Sequence, residues 1–404
     1  MALGIVCGAT ASTNNANEFE LILSKDSLSL QAYETDTFTI TTPSNGQLFV
    51  LSSDTNIVKV SLDDNVVHVQ AIEYGIATIT CWQEATDNYP SPKSVSCVCV
   101  VEVPGVTTGS TFETTTWENI SLIANQGIGS SYWSIGDTKR IILNGNIYKD
   151  DYTNTVYTVF ILHFNYPIDT NEDNNIILGG FKDLFGNNVA LTASISSTAT
   201  TYNIHHYNNT QYGGWKGCDL RYDILGATNY CPTQYGTTMT TARTGYDANN
   251  NTLKYPHQNT LLAALPKDFR SVLRLWTRYT NNSATGKGTS TSSITECIDA
   301  VTLLTEFEIF GTRRYANNYE QQHQSYIEYY SSGNSRIMYD ALDVSTPCVW
   351  WTASPYVLTD LDNGYWIYIN ISGNIPSAPL TVNAYQYNTS SGNKRIGIVP
   401  AFKV

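Results

Sequence analysis

A chain of 404 residues, 42% apolar and only 14% charged, is too long for one ordinary core and long enough for two or three domains. The net charge is −13 and no Lys/Arg cluster would neutralise a run of phosphates, which argues against nucleic acid as a partner. No run of 18 apolar residues occurs, so no membrane-spanning helix is expected, and the abundance of Asn, Thr, Ser and Tyr suits pleated sheets better than long surface helices.

Residues 1–16 contain a short apolar stretch, "LGIVCGA", with no Lys or Arg before it. A secretory signal needs both a basic start and a longer apolar core. The segment therefore reads as an unprocessed N-terminal arm.

Residues 17–104 carry 12 acidic and 3 basic residues and alternate apolar with polar positions. "SLSLQAY", "TFTITT", "QLFVLSS", "IVKVSL", "VVHVQAI" and "IATITCW" read as six short strands, separated by turn signals such as "PSNG" and "LDDN". Short strands at this spacing, without a helical period, predict a β-sandwich. The pattern also resembles a bacterial Ig-like domain of group 2, on Ser52, Ser53, Asp54, Val58, Val60, Gly75, Ala77, Ile79 and Thr80. That resemblance implies a spacer or adhesive module. The eight cysteines include no C-x-x-C pair. They read as buried free thiols, with a Cys81–Cys97 or Cys81–Cys99 bridge as the alternative.

Residues 105–116 are rich in Gly and Thr and read as a linker. From Trp117 onward the pattern becomes α+β. Thr caps precede a helix with Trp117, Ile120 and Ile123 on one face, ended by Gly127. "SIGDTKRIILNGNIYK" predicts a hairpin turning at Asn144-Gly145, and "TVYTVFILHFN" a strand. "GGWKGCDLRYDILG" predicts a second helix ending at Gly226. "LPKDFRSVLRLWTRY" predicts a third, with Phe269, Val272, Leu273 and Trp276 on one side. "DAVTLLTEFEIFG" combines a strand and a short helix.

Residues suited to catalysis are sparse. Glu306 and Glu308 form a possible carboxylate pair, but Thr305-x-x-Glu308 fits a capping box better. Adjacent His205 and His206 would face opposite sides of a strand, so a metal pair is not expected. No catalytic residue, metal or cofactor is predicted. In contrast, 25 of 28 tyrosines lie in the second part, many among Asn and Ser. That mixture suits recognition surfaces, because Tyr offers contact area with few rotors. The residues singled out for a binding face are Tyr207, Tyr212, Tyr319, Tyr326, Tyr385, Tyr387 and Asn388. Trp350, Trp351, Ser354, Pro355, Pro400 and Phe402 are expected to be framework, with one tryptophan in the core and the other supporting that face.

The second part also resembles an uncharacterised domain common in phage and surface proteins of gut bacteria. The matching residues, in order, begin with Trp133, Ser134, Gly136, Asp137, Thr138 and Lys139, then Phe164 and Asn165, and then Gly213, Gly214, Trp215, Asp219 and Arg221. They continue with Leu265-Pro266, Leu303, Leu304, Glu306, Glu308, Phe310 and Gly311, and end with Trp350, Trp351, Ser354, Pro355, Gly397, Ile398, Pro400, Ala401 and Phe402. Ala353 and Val399 stand where that pattern has arginine. The "WW…SP" and "G…PAF" motifs are similar to those of formylglycine-generating-enzyme and C-type-lectin-like domains. The fold expectation is therefore multidomain: an all-β Ig-like sandwich followed by an α+β C-type-lectin-like domain spanning 117–404. The resemblances imply a non-enzymatic, virion-located surface protein of a tailed bacteriophage, assembled in the host cytoplasm and displaying a lectin-like domain for adhesion or receptor binding. Its partners would be other virion proteins and a host cell-surface glycan or protein, with no membrane insertion; a homo-oligomer is compatible with the sequence. The alternatives are a capsid decoration or head-fibre protein, a bacterial surface adhesin, and an oxidase using Cys297, Cys348 or a metal.

Overall fold

The structure, a computed structural model, describes residues 19–106, 110–148, 150–167, 173–192, 214–218, 220–226, 233–234, 237–238, 256–281, 294–318, 320–356, 365–377, 380–381, 386–389 and 392–404. The chain divides into two compact units, Met1–Thr107 and Thr108–Val404. The described residues are predominantly β, arranged in several sheets.

Among the described residues the first unit has eight strands: β1 Ile22–Leu23, β2 Ser27–Gln31, β3 Thr35–Thr41, β4 Leu48–Ser52, β5 Val58–Asp63, β6 Val66–Ala71, β7 Gly75–Gln83 and β8 Val95–Glu102. They form two four-stranded sheets, ordered β1-β3-β6-β5 and β2-β8-β7-β4. The six strands read from the sequence are present; the two-residue β1 and β8 were missed. Strict alternation explains the packing. In β7, Ala77, Ile79 and Cys81 point inward, while Ile76, Thr78 and Thr80 sit nearer the surface. Phe38, Ile40, Val67 and Val69 from one sheet meet Ile79, Cys97, Cys99 and Val101 from the other in a single core. Cys81, Cys97 and Cys99 are buried and free, and burial pushes each thiol up to about 11. Gln83 ends the inward row, and its amide donates to the Ser44 and Gly46 carbonyls while accepting from Thr42 Oγ1.

The second unit is built on a large mixed sheet. Its middle is the strand Ile176–Lys182, which pairs with Thr155–Phe164, Asn188–Thr192 and the C-terminal strand Pro400–Lys403. Beyond Asn188–Thr192 the sheet continues through Gly397–Ile398, Trp350–Pro355 and Tyr365–Ile369.

Several local expectations change. The predicted hairpin at Asn144-Gly145 does not form. Thr138–Leu143 pairs with Thr155–Phe164, whereas Asn146–Ile147 pairs with Asp150–Asp151. The long β-branched strand offers the first segment six paired positions, which outweighs a local turn preference. The third predicted helix is shorter, Lys267–Val272, and Trp276 begins a strand, Trp276–Asn281. The second is a 3₁₀ turn, Gly214–Gly217, followed by a π-type turn, Leu220–Leu225.

The segment read as a linker is partly core. Phe112 is buried and lies edge-on to Trp117 and Trp133. Trp133 Nε1 donates to the Ser110 carbonyl, and Lys139 Nζ donates to the carbonyls of Glu113 and Thr115. Two residues of the "WSIGDTK" motif thus grip the chain just ahead of the first helix, Trp117–Asn125, which Thr116 caps.

Candidate functional site

The strand Trp350–Pro355 is buried along its length. Trp350 is 1% exposed and Trp351 0%, so both rings are interior. Trp350 Nε1 donates to the Arg336 carbonyl at 3.0 Å, and Trp351 meets Tyr368 edge-on. Parallel pairing of Trp350 with Gly397 and Trp351 with Ile398 joins the two terminal motifs. A Cβ on Gly397 would lie 2.4 Å from the Ala190 Cβ, so only glycine fits that approach. Pro400 and Phe402 lie on a strand paired on both sides. Ala353 and Val399, where the resembled pattern has arginine, are apolar core residues.

Three glutamates, Glu306, Glu308 and Glu320, converge behind this strand, and each is at most 1% exposed. Glu306 and Glu308 lie on the short helix Glu306–Phe310, whose capping box with Thr305 is formed as the sequence suggested. Glu308 does more than cap. It receives Arg278 through two hydrogen bonds of 2.7 and 2.5 Å and the Tyr166 hydroxyl at 2.7 Å. Burial alone would raise its carboxyl. Arg278 and the surrounding donors more than offset that and hold it below the usual range.

Glu306 takes the backbone N–H groups of Arg314, Tyr315 and Ala316, with contacts between 2.6 and 3.2 Å. Burial raises its carboxyl despite these donors. Among the described residues the Glu320 carboxyl meets Ser354, whose Oγ lies 3.3 Å from both carboxyl oxygens and accepts the Glu306 N–H at 2.9 Å. Burial first, then the charges of Glu306 and Glu308, push Glu320 well above the ordinary carboxyl value.

These carboxyls hold one loop. Between Gly311 and Ile327 the chain is tied at Arg314–Ala316 by Glu306 and at Glu320 by Ser354. It is tied again at Gln324 by Thr305 and at Ser325 by Tyr166, which in turn bonds Glu308. A second buried group does similar work: Asp299 accepts from Arg221 Nε at 2.6 Å and Trp215 Nε1 at 2.9 Å. This ties the turns at Gly214–Leu225 to the strand Ile294–Asp299. Cys297 and Cys348 are buried, and burial pushes both thiols up to about 12, assisted by Asp299 and Asp340 respectively. Such thiols stay protonated and are poor nucleophiles. His163 accepts the Glu328 N–H at 3.0 Å, and burial pushes its imidazole down to about 4.

The outer side of the anchored loop is aromatic. Tyr315 and Tyr356 lie with ring centres 4.7 Å apart, and the exposed Arg314 guanidinium sits 4.9 Å above the Tyr315 ring. Tyr279 stacks on His323 at 4.4 Å, and both are half-buried. Of the residues expected on a binding face, Tyr326 is half-buried against the core; its hydroxyl donates to the Tyr330 carbonyl and accepts from Arg336. Tyr387 and Asn388 lie on a hairpin, paired with Lys394 and Asn393. Tyr207, Tyr212, Tyr319 and Tyr385 lie outside the described residues, as do His205 and His206.

The residues singled out from the sequence for a binding face do not include Arg314, Tyr315, Tyr356, Tyr279 or His323, although Tyr315 and His323 lie in the Tyr/Asn-rich segment around Tyr319 and Tyr326. The available signal was Arg313-Arg314, an adjacent basic pair in an acidic chain just after the helix-ending Gly311. No protein-family model matches the chain, and no curated protein matches it either.

Proposed function

We propose that this chain is a non-enzymatic virion surface protein of a tailed bacteriophage. In this reading an Ig-like sandwich spaces the protein from the particle, and a lectin-like unit presents a recognition face to the host surface. The observation that carries the reading is the use made of the buried charged groups. Glu306, Glu308, Arg278, Asp299 and Arg221 spend their hydrogen bonds on backbone segments, on Tyr166 and Trp215, and on each other. Such a framework stiffens loops in advance and lowers the ordering cost of binding. The two sequence resemblances supply the phage context.

Gradient-purified particles of the phage carrying this gene test the reading by mass spectrometry and immunogold labelling. Label on the particle supports it. Label confined to the head would favour the second reading, a capsid decoration or head fibre. A chain absent from particles and found on the bacterial envelope would overturn the virion reading in favour of a bacterial adhesin.

A further inference from the structure

We infer that Arg314, Tyr315 and Tyr356 form a subsite for an acidic saccharide, one whose sugar ring carries a carboxylate. This rests on the adhesion reading and names the ligand class that this face takes.

Arg314 presents an exposed guanidinium. Among the described residues no carboxylate pairs with Arg314. Its guanidinium contacts are a long hydrogen bond of 3.4 Å to the Ile375 carbonyl and the face of Tyr315. The residue is nevertheless held in place. Its own N–H and those of the next two residues end on the buried Glu306 carboxylate, and the Tyr315 hydroxyl donates to the Ser377 carbonyl at 3.2 Å. The backbone that carries Arg314 and the Tyr315 ring is therefore held before any ligand arrives.

The chemistry of the three side chains then selects the ligand. A guanidinium offers parallel N–H donors that match a carboxylate. Half-buried Tyr315 and Tyr356 offer ring surface and edges suited to the C–H groups of a pyranose. One guanidinium here matches a single carboxylate, whereas a chain of phosphates is held by several Lys/Arg side chains. An aliphatic acid lacks a face for the rings. A sugar acid satisfies both features.

The test uses the full chain and immobilised oligosaccharides ending in N-acetylneuraminate or glucuronate, with carboxyl-reduced versions of the same sugars as controls. Binding to the acid sugars and not to the reduced ones is expected. Arg314→Gln should weaken binding about tenfold or more, since it removes a charge-assisted pair. Tyr356→Ala should weaken it too, with melting unchanged in both variants. Equal binding to acid and reduced sugars, or an Arg314→Gln variant that binds as the parent does, overturns the subsite. So does a preference for acidic peptides. In those cases retained binding to host cells leaves the adhesion reading standing. Loss of both sugar and cell binding by the parent chain removes that reading as well.

Discussion

Glu320 is buried beside Glu306 and Glu308, and the Arg278 guanidinium nearby is already paired with Glu308. Burial, then the charges of Glu306 and Glu308, disfavour its ionised form and raise its carboxyl well above the ordinary value. The sign of the pH effect follows. A folded-state value raised above the ordinary 4.5 means that the folded state binds more protons than the unfolded chain above that pH. The stabilisation is complete below 4.5 and is lost as pH rises through the folded value. Glu320→Gln keeps the shape and the acceptor for Ser354 without the titration. Denaturant unfolding from pH 4 upward should give matching stabilities at the acid end and a variant increasingly more stable than the parent as pH rises. Parallel curves would show that Glu320 ionises freely and that the buried cluster has been misassigned.

At the scale of elements, Phe112 separates a solvated linker from a docked segment. Its ring fills the space between Trp117 and Trp133, and the carbonyls around it are taken by Trp133 and Lys139. Phe112→Ala should cost about 3–5 kcal/mol in the unfolding of the second unit, the usual range for deleting a buried aromatic ring. A solvated linker would give no change. The composition of residues 105–116 pointed the other way, because Gly and Thr dominate and a lone Phe carries no period. The sandwich was legible for the opposite reason. Most of its segments alternate apolar with polar residues, and alternation sets which side faces the core, as in β6 and β7; β4, with four apolar residues in a row, is the exception. Asn144-Gly145 shows the limit of local signals, since the turn dipeptide is present but the flanking strands find longer partners elsewhere.

At the scale of the whole molecule, Trp350, Trp351, Pro400 and Phe402 were readable as framework from their apolar motifs, and all lie inside the second unit. The buried ionic cluster was only half readable. The spacing of Thr305 and Glu308 announced a capping box, but nothing local announces that Arg278, 30 residues earlier, closes on the same carboxylate. Nor does the sequence around Glu320 point to Ser354, 34 residues away. Long-range pairing of single polar residues has no period and leaves no compositional trace. The same gap hid Arg314 and Tyr356, which the anchored loop and a buried strand bring to one place. In the proposed function the inward polar residues give rigidity and the outward aromatic face gives recognition. Competition for adsorption tests that division most directly: purified chain is added to host cells before the phage, and free phage is counted over time. The account predicts that the chain coats the cells and slows adsorption in a dose-dependent way, and that Arg314→Gln at the same dose slows it less. A folded chain that neither binds the host nor alters adsorption at any dose would contradict it.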